Sequence, residues 1–138
     1  MPTPVLVVDA ANVVAARPDG WWRDRRGATE WLLAELARVP TEGLDGVGSP
    51  VGDVVVVLEG RARDAAPDGV PGITLVRADG SGDDAIVAVV AARVDDGEVV
   101  TVVTSDRGLR RRVEALGAGV RGAGWLRDAL DGGSGGSR

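Results

Sequence analysis

The chain has 138 residues, of which 44% are hydrophobic and 27% charged, a formal net charge of −5, and no Cys or His. That is the size and balance of one folded domain, and it excludes disulfides, thiolate or imidazole metal sites and any catalysis that relies on a His base. All 16 basic residues are Arg, so Schiff-base and Walker-type lysines are excluded too, and the remaining Asp, Glu, Asn, Ser, Thr and Arg become catalytic most directly by holding a hard divalent cation.

In chain order, Val5–Val8 is an unbroken apolar run ended by Asp9 and reads as a buried strand. Asn12 to Gly27 is polar and irregular, with Pro18-Asp19-Gly20 as a turn signal. Ala28, Leu32, Leu36 and Val39 repeat at helical spacing, which predicts a helix over 28–39 that Pro40 stops. After a Gly/Pro loop over 41–52, Val54–Leu58 is a second buried strand, ended by Glu59. Arg61 to Gly72 reads as a long, mobile loop, and Ile73–Val76 as a third strand. A helix is expected over 83–94, a fourth strand at Val99–Val103, a helix over 108–116, a short strand near Val120 and a last helix over 124–130. Residues 1–131 are expected to form a single domain, and 132–138 a disordered Gly/Ser tail.

Strands that are apolar on both faces and alternate with helices imply an α/β fold, with a central parallel sheet covered on both sides. Such sheets place their sites beyond the carboxyl ends of the strands, where strand order reverses. Three of the strands run directly into or towards an acid at that edge: Asp9, Glu59 and Asp106. Asp83 and Asp84 open the helix after the third strand and approach the same edge. Five converging carboxylates repel one another unless a cation such as Mg²⁺ or Mn²⁺ compensates. Each acid also has an ordinary structural reading: Asp9 as a turn or cap residue, Ser81 and Asp84 as a capping box, Asp83 as a charge favourable to a helix dipole, Ser105 or Asp106 as a cap, and Glu59 as a charged strand end.

The segments Val7-Val8-Asp9-Ala10-Ala11-Asn12, Gly82-Asp83-Asp84-Ala85-Ile86 and Val103-Thr104-Ser105-Asp106-Arg107-Gly108-Leu109 resemble the three signatures of PIN-like nucleases, and most of all the NYN ribonuclease-like domains. The resemblance extends from about Val5 to Leu126. It implies a three-layer α/β/α sandwich with strand order 3-2-1-4-5. It also implies a metal-dependent ribonuclease that hydrolyses RNA with Mg²⁺ or Mn²⁺, on Asp9, Asp83, Asp84 and Asp106, with Glu59 near the segment where relatives place a further acid. Asn12 matches the family's Asn after the first strand, and Ser105 and Thr104 are expected to orient or support the ligands. Relatives of the 5′ nuclease group often carry a second Asp where this chain has Gly108, which puts a second ion in doubt.

Trp21-Trp22-Arg23-Asp24-Arg25-Arg26 interleaves aromatics with arginines. Trp22, Arg23 and Arg25 are candidates for contact with RNA by stacking and phosphate neutralisation, as are Arg107 and Arg111 on the helix after the fourth strand. Trp21 is read as an anchor of the loop, and Trp31 and Trp125 as core. The rival function is a non-catalytic RNA-binding or scaffold domain of the same fold. An antitoxin-like protein or an RNA-processing complex is a further expected partner, since many PIN toxins are this short. With no apolar run of membrane length and no leader pattern, a cytoplasmic location is expected.

Overall fold

The computed structural model describes residues 3–48, 50–59 and 71–135. Five strands, β1 (Pro4–Asp9), β2 (Asp53–Leu58), β3 (Ile73–Arg77), β4 (Val99–Val103) and β5 (Gly119–Arg121), form one parallel sheet in the order β3-β2-β1-β4-β5. In register, Val8 of β1 lies beside Val56 of β2 on one side and Val103 of β4 on the other. The continuous apolar runs are explained by burial on both faces. Leu6, Val8, Val54, Val56 and Leu58 pack against the helices of one layer, while Val5, Val7, Val55, Val57 and Val102 pack against those of the other.

The first layer contains α1 (Ala10–Val14), α2 (Arg25–Leu36), α3 (Val39–Glu42) and α6 (Ala123–Gly135), contributing Val13, Leu32, Leu36, Val39, Leu126 and Leu130 to the core. The second contains α4 (Gly82–Asp95) and α5 (Arg107–Glu114), which insert Ile86, Val90, Leu109 and Val113. Helices on both faces of a parallel sheet make this a doubly wound α/β fold, and its strand order reverses between β1 and β4.

Several local expectations are corrected. The stretch after Asp9 is helical: α1 begins at once, and its Val13 and Val14 are buried. A 3₁₀ turn, Trp21–Arg23, follows the Pro18-Asp19-Gly20 turn, where Gly20 adopts φ +87°, a left-handed conformation that suits glycine. Pro40 does not stop the helix that precedes it. α2 already ends at Leu36, and Pro40 sits in the first turn of α3, where its missing N–H has no helical partner to lose. Helix α6 continues past Leu130 to Gly135, so the first part of the Gly/Ser segment is helical. The loop expected over 61–72 lies mostly outside the described residues, as do 136–138. Among the described residues, no helix is long and apolar enough to cross a membrane.

Candidate functional site

Because β1 and β4 are parallel neighbours, Asp9 at the end of β1 and Asp106 just beyond β4 emerge at the same edge, beside the reversal of strand order. Glu59 follows β2 at that edge, and Asp83 and Asp84 lie in the first turn of α4.

Asp9 is the most enclosed of the five acids, only 7% exposed. Its Oδ2 accepts from Thr104 Oγ1 at 2.9 Å, and its Oδ1 receives the Asn12 N–H at 3.5 Å, a long contact that caps α1. Thr104 is fully buried, and its hydroxyl oxygen accepts the Asp106 N–H at 3.1 Å. One hydroxyl thus ties the two edge acids together. Asn12 Oδ1 accepts from the Ser105 N–H at 2.8 Å, and Ser105 Oγ accepts from the Ala123 N–H at 2.9 Å. Asn12 and Ser105 therefore fasten the loop after β4 to α1 and to the start of α6. Asp106 caps α5, with Oδ1 accepting from Leu109 N–H at 2.9 Å. Gly108 lies against the same carboxylate, since a Cβ there would stand 3.4 Å from Asp106 Oδ1.

Glu59 is engaged with the backbone of α4, where its Oε2 accepts the Gly82 N–H at 2.7 Å. A Cβ at position 82 would lie 2.5 Å from that oxygen, so any larger residue there would push the Glu59 carboxylate aside. Ser81 caps α4 through a 3.3 Å contact from the Asp84 N–H, which bears out the first half of the capping box.

Electrostatics single out two of the acids. Burial pushes the Asp9 carboxyl up to about 6, opposed by the Thr104 and Asn12 hydrogen bonds and reinforced by the charges of Asp83 and Glu59. Asp83 is also raised, first by desolvation and then by the charges of Asp106 and Glu59, with Arg112 opposing. Mutual repulsion is real but second to desolvation at both positions. Among the described residues no Arg forms an ion pair with Asp9, Asp83 or Asp106.

Arg112, one of the basic cluster Arg107, Arg110, Arg111 and Arg112 that the sequence places after Asp106, bonds Asp84 at 2.9 Å and is the arginine whose charge acts on Asp83. Asp84 is turned outward, its side chain 74% exposed. Arg107 and Arg111 are exposed on α5. The basic run was legible as a solvated face or a phosphate contact, and helical geometry sends one of its residues, Arg112, back towards α4. Arg23 stacks on Trp22, with 5.9 Å from guanidinium to ring, and Arg25 stacks on Trp21 at 5.3 Å. Trp22 is half exposed, as a stacking platform requires, and Trp21 leans on the core as an anchor. Trp125 packs against the same core. Trp31 does not: it is 41% exposed, because its place on α2 faces Arg127 and the solvent rather than the sheet.

The donor chemistry suits a hard divalent cation: oxygen ligands only, two of them desolvated and raised, at a shared edge. Among the described residues no three carboxylates converge closely enough to hold a bare ion between them. Asp9, Asp106 and Glu59 each have oxygens engaged in capping or in the Thr104 bond.

The strand order and the helices on both faces define the molecule as a doubly wound α/β protein. The chain is similar in fold to the crystal structure of Rae1 (YacP) from Bacillus subtilis, at 18% identity and a TM-score of 0.70 over 92% of this chain and 73% of that one. A single-substitution variant of the same protein superposes at 20% identity and a TM-score of 0.66, over 92% of this chain and 74% of that one. The likeness is one of fold. No family model matches the chain, and no curated protein matches it.

Proposed function

We propose that the chain is a metal-dependent ribonuclease that hydrolyses RNA phosphodiester bonds at the Asp9–Asp83–Asp106 edge. The observation that carries this reading is the buried Asp9 carboxyl, raised to about 6 and in no ion pair among the described residues, at the edge it shares with Asp83 and Asp106 where strand order reverses. Carboxylates kept in such surroundings weaken the fold unless something bound compensates their charge. Asp9, Asp83 and Asp106 would hold Mg²⁺ or Mn²⁺, with Asp84 and Glu59 at the margin. An ion held by these residues would supply Lewis acidity, acidifying water near the scissile bond and offsetting the charge of the phosphate.

The remaining roles belong to the chain itself. Thr104 fixes the rotamer of Asp9 and the backbone of Asp106 together. Asn12 and Ser105 hold the loop that carries Asp106. Arg112, already at the mouth of the cluster, is placed to take a phosphate oxygen when it leaves Asp84, whose exposed pair with it is weak. Trp22, Arg23 and Arg25 form a lip on which an RNA strand stacks and is neutralised.

A second reading, a non-catalytic RNA-binding domain, is favoured by one observation: Asp9 and Asp106 each cap a helix and Glu59 holds the Gly82 N–H, so all three have structural work without a metal. Incubation of structured and single-stranded RNAs with Mn²⁺ or with EDTA separates the two. The nuclease reading expects cleavage by wild type in Mn²⁺, abolished by EDTA and by Asp83→Asn or Asp106→Asn. Cleavage that survives both substitutions comes from a contaminant, and uncut RNA across the panel favours the binding domain.

A further inference from the structure

Beside the acidic edge lies a second concavity, between the 3₁₀ turn, α2 and α6. Val14, Asp19, Trp21, Asp24, Trp31 and Arg127 line it. It lies close to the proposed site. Asp9 and Val14 bracket helix α1, and five residues at helical rise span about 7.5 Å. On the other side, Arg127 is one turn along α6 from Ala123, whose N–H is held by Ser105.

The floor of this pocket is built around a buried guanidinium. Arg127 is 5% exposed. It donates to the carbonyls of Val13 and Val14 at 3.1 and 3.2 Å and to Asp19 at 2.6 Å, and its Nε is buried without a hydrogen-bond partner. The guanidinium also lies 4.8 Å from the Trp31 ring centre. An Arg buried this deeply beneath a tryptophan that itself remains 41% exposed fixes the indole in place without covering it. Two of the chain's large exposed apolar side chains, Trp22 and Trp31, flank this region, in a protein with only 3% aromatic residues and no Phe or Tyr. The lining charges are two carboxylates against one guanidinium, and that guanidinium's terminal nitrogens are already engaged. Phosphate is therefore disfavoured in the pocket.

We propose that this pocket takes one unpaired RNA base, stacked on Trp31, and that it prefers guanine to uracil. Carboxylates only accept hydrogen bonds. Asp24 uses one oxygen to cap α2 through the Gly27 N–H at 2.9 Å, and its other oxygen remains to accept. Guanine presents two adjacent donors, N1–H and the N2 amino group, on its pairing edge. Uracil offers two carbonyl acceptors and a single donor, and its carbonyls would face carboxylates. Stacking supplies affinity for any base, and the acceptor edge supplies the discrimination. The inference rests on the ribonuclease reading for its RNA ligand, but not for its readout.

The test is fluorescence anisotropy in EDTA with the full chain and two labelled pentanucleotide RNAs, one all uridine and one with a single central guanosine. Wild type is expected to bind the guanosine strand at least about tenfold more tightly. Asp24→Asn keeps a competent helix cap and is expected to lose most of that preference while still binding. Trp31→Leu is expected to weaken both strands. Equal affinity of wild type for the two strands overturns the proposal, as does a preference unchanged in Asp24→Asn. Should Trp31→Leu fail to melt cooperatively, the Asp24→Asn arm decides. Cleavage in Mn²⁺ without a guanosine preference in EDTA removes the pocket and leaves the nuclease reading standing. A guanosine preference in a protein that cuts no RNA does the reverse.

Discussion

Replacing Asp9 with Asn should change the sign of its effect on stability with pH. The Asp9 carboxyl sits at about 6 instead of 3.8, chiefly because burial penalises its charge. At about 1.4 kcal/mol per pH unit of displacement, ionised Asp9 weakens folding by roughly 3 kcal/mol. Because the folded-state value is the higher one, that stability is fully present below about pH 4 and is lost as the pH rises through about 6. Asn is neutral throughout and still accepts from Thr104, but its amide serves the long Asn12 N–H contact less well, a loss of about 1 kcal/mol. Asp9→Asn should therefore stabilise the protein by about 2 kcal/mol near pH 8 and destabilise it by about 1 kcal/mol near pH 4. Urea unfolding in EDTA at both pH values, with the slope checked for two-state behaviour, measures the difference. An effect of the same sign and size at both would refute the desolvation of Asp9.

Gly82→Ala should cost about 1 kcal/mol in chemical denaturation, because the new Cβ meets the Glu59 carboxylate at 2.5 Å and turns it off the backbone N–H at position 82; a stabilised variant would contradict that contact. Thr104→Val preserves shape in a fully buried position but leaves Asp9 Oδ2 and the Asp106 N–H unpaired, for a loss of about 2–4 kcal/mol. The same substitution removes a bond that holds the Asp9 carboxyl down, so its titration, followed by carboxyl carbon NMR, should move above about 6; a downward move would show that the hydroxyl does not act on Asp9.

The sheet is readable because its strands are buried on both faces. Runs such as Val5–Val8 and Val54–Leu58 leave no other economical fate, and their acidic ends fix the edge. Helix α1 escapes such a reading because five residues are too few to establish a 3.6-residue period, and the single polar Asn12 disguises it. Pro40 misleads because proline marks both the end of one helix and the first turn of the next. Spacing brings the acids to one edge but does not disclose their second occupations: Glu59 holding Gly82, Asp106 capping α5, Asp84 paired with Arg112. Those depend on side-chain rotamers and on contacts between distant segments. Trp31 reads as core because a helix period does not reveal that a buried Arg from α6 will prop the ring outward.

The central claim is that the edge carboxylates are kept at an energetic disadvantage in order to hold a divalent ion. Calorimetric titration of the metal-free protein with Mn²⁺ tests it most directly, run near pH 6 in two buffers of different ionisation enthalpy. Saturable binding is expected, with protons released as Asp9, whose carboxyl sits at about 6, gives up its proton. Stability should rise by about 2.7 kcal/mol at a hundredfold excess over the dissociation constant, and both effects should be lost in Asp83→Asn. No saturable heat at millimolar Mn²⁺, with an unchanged melting temperature, would contradict it.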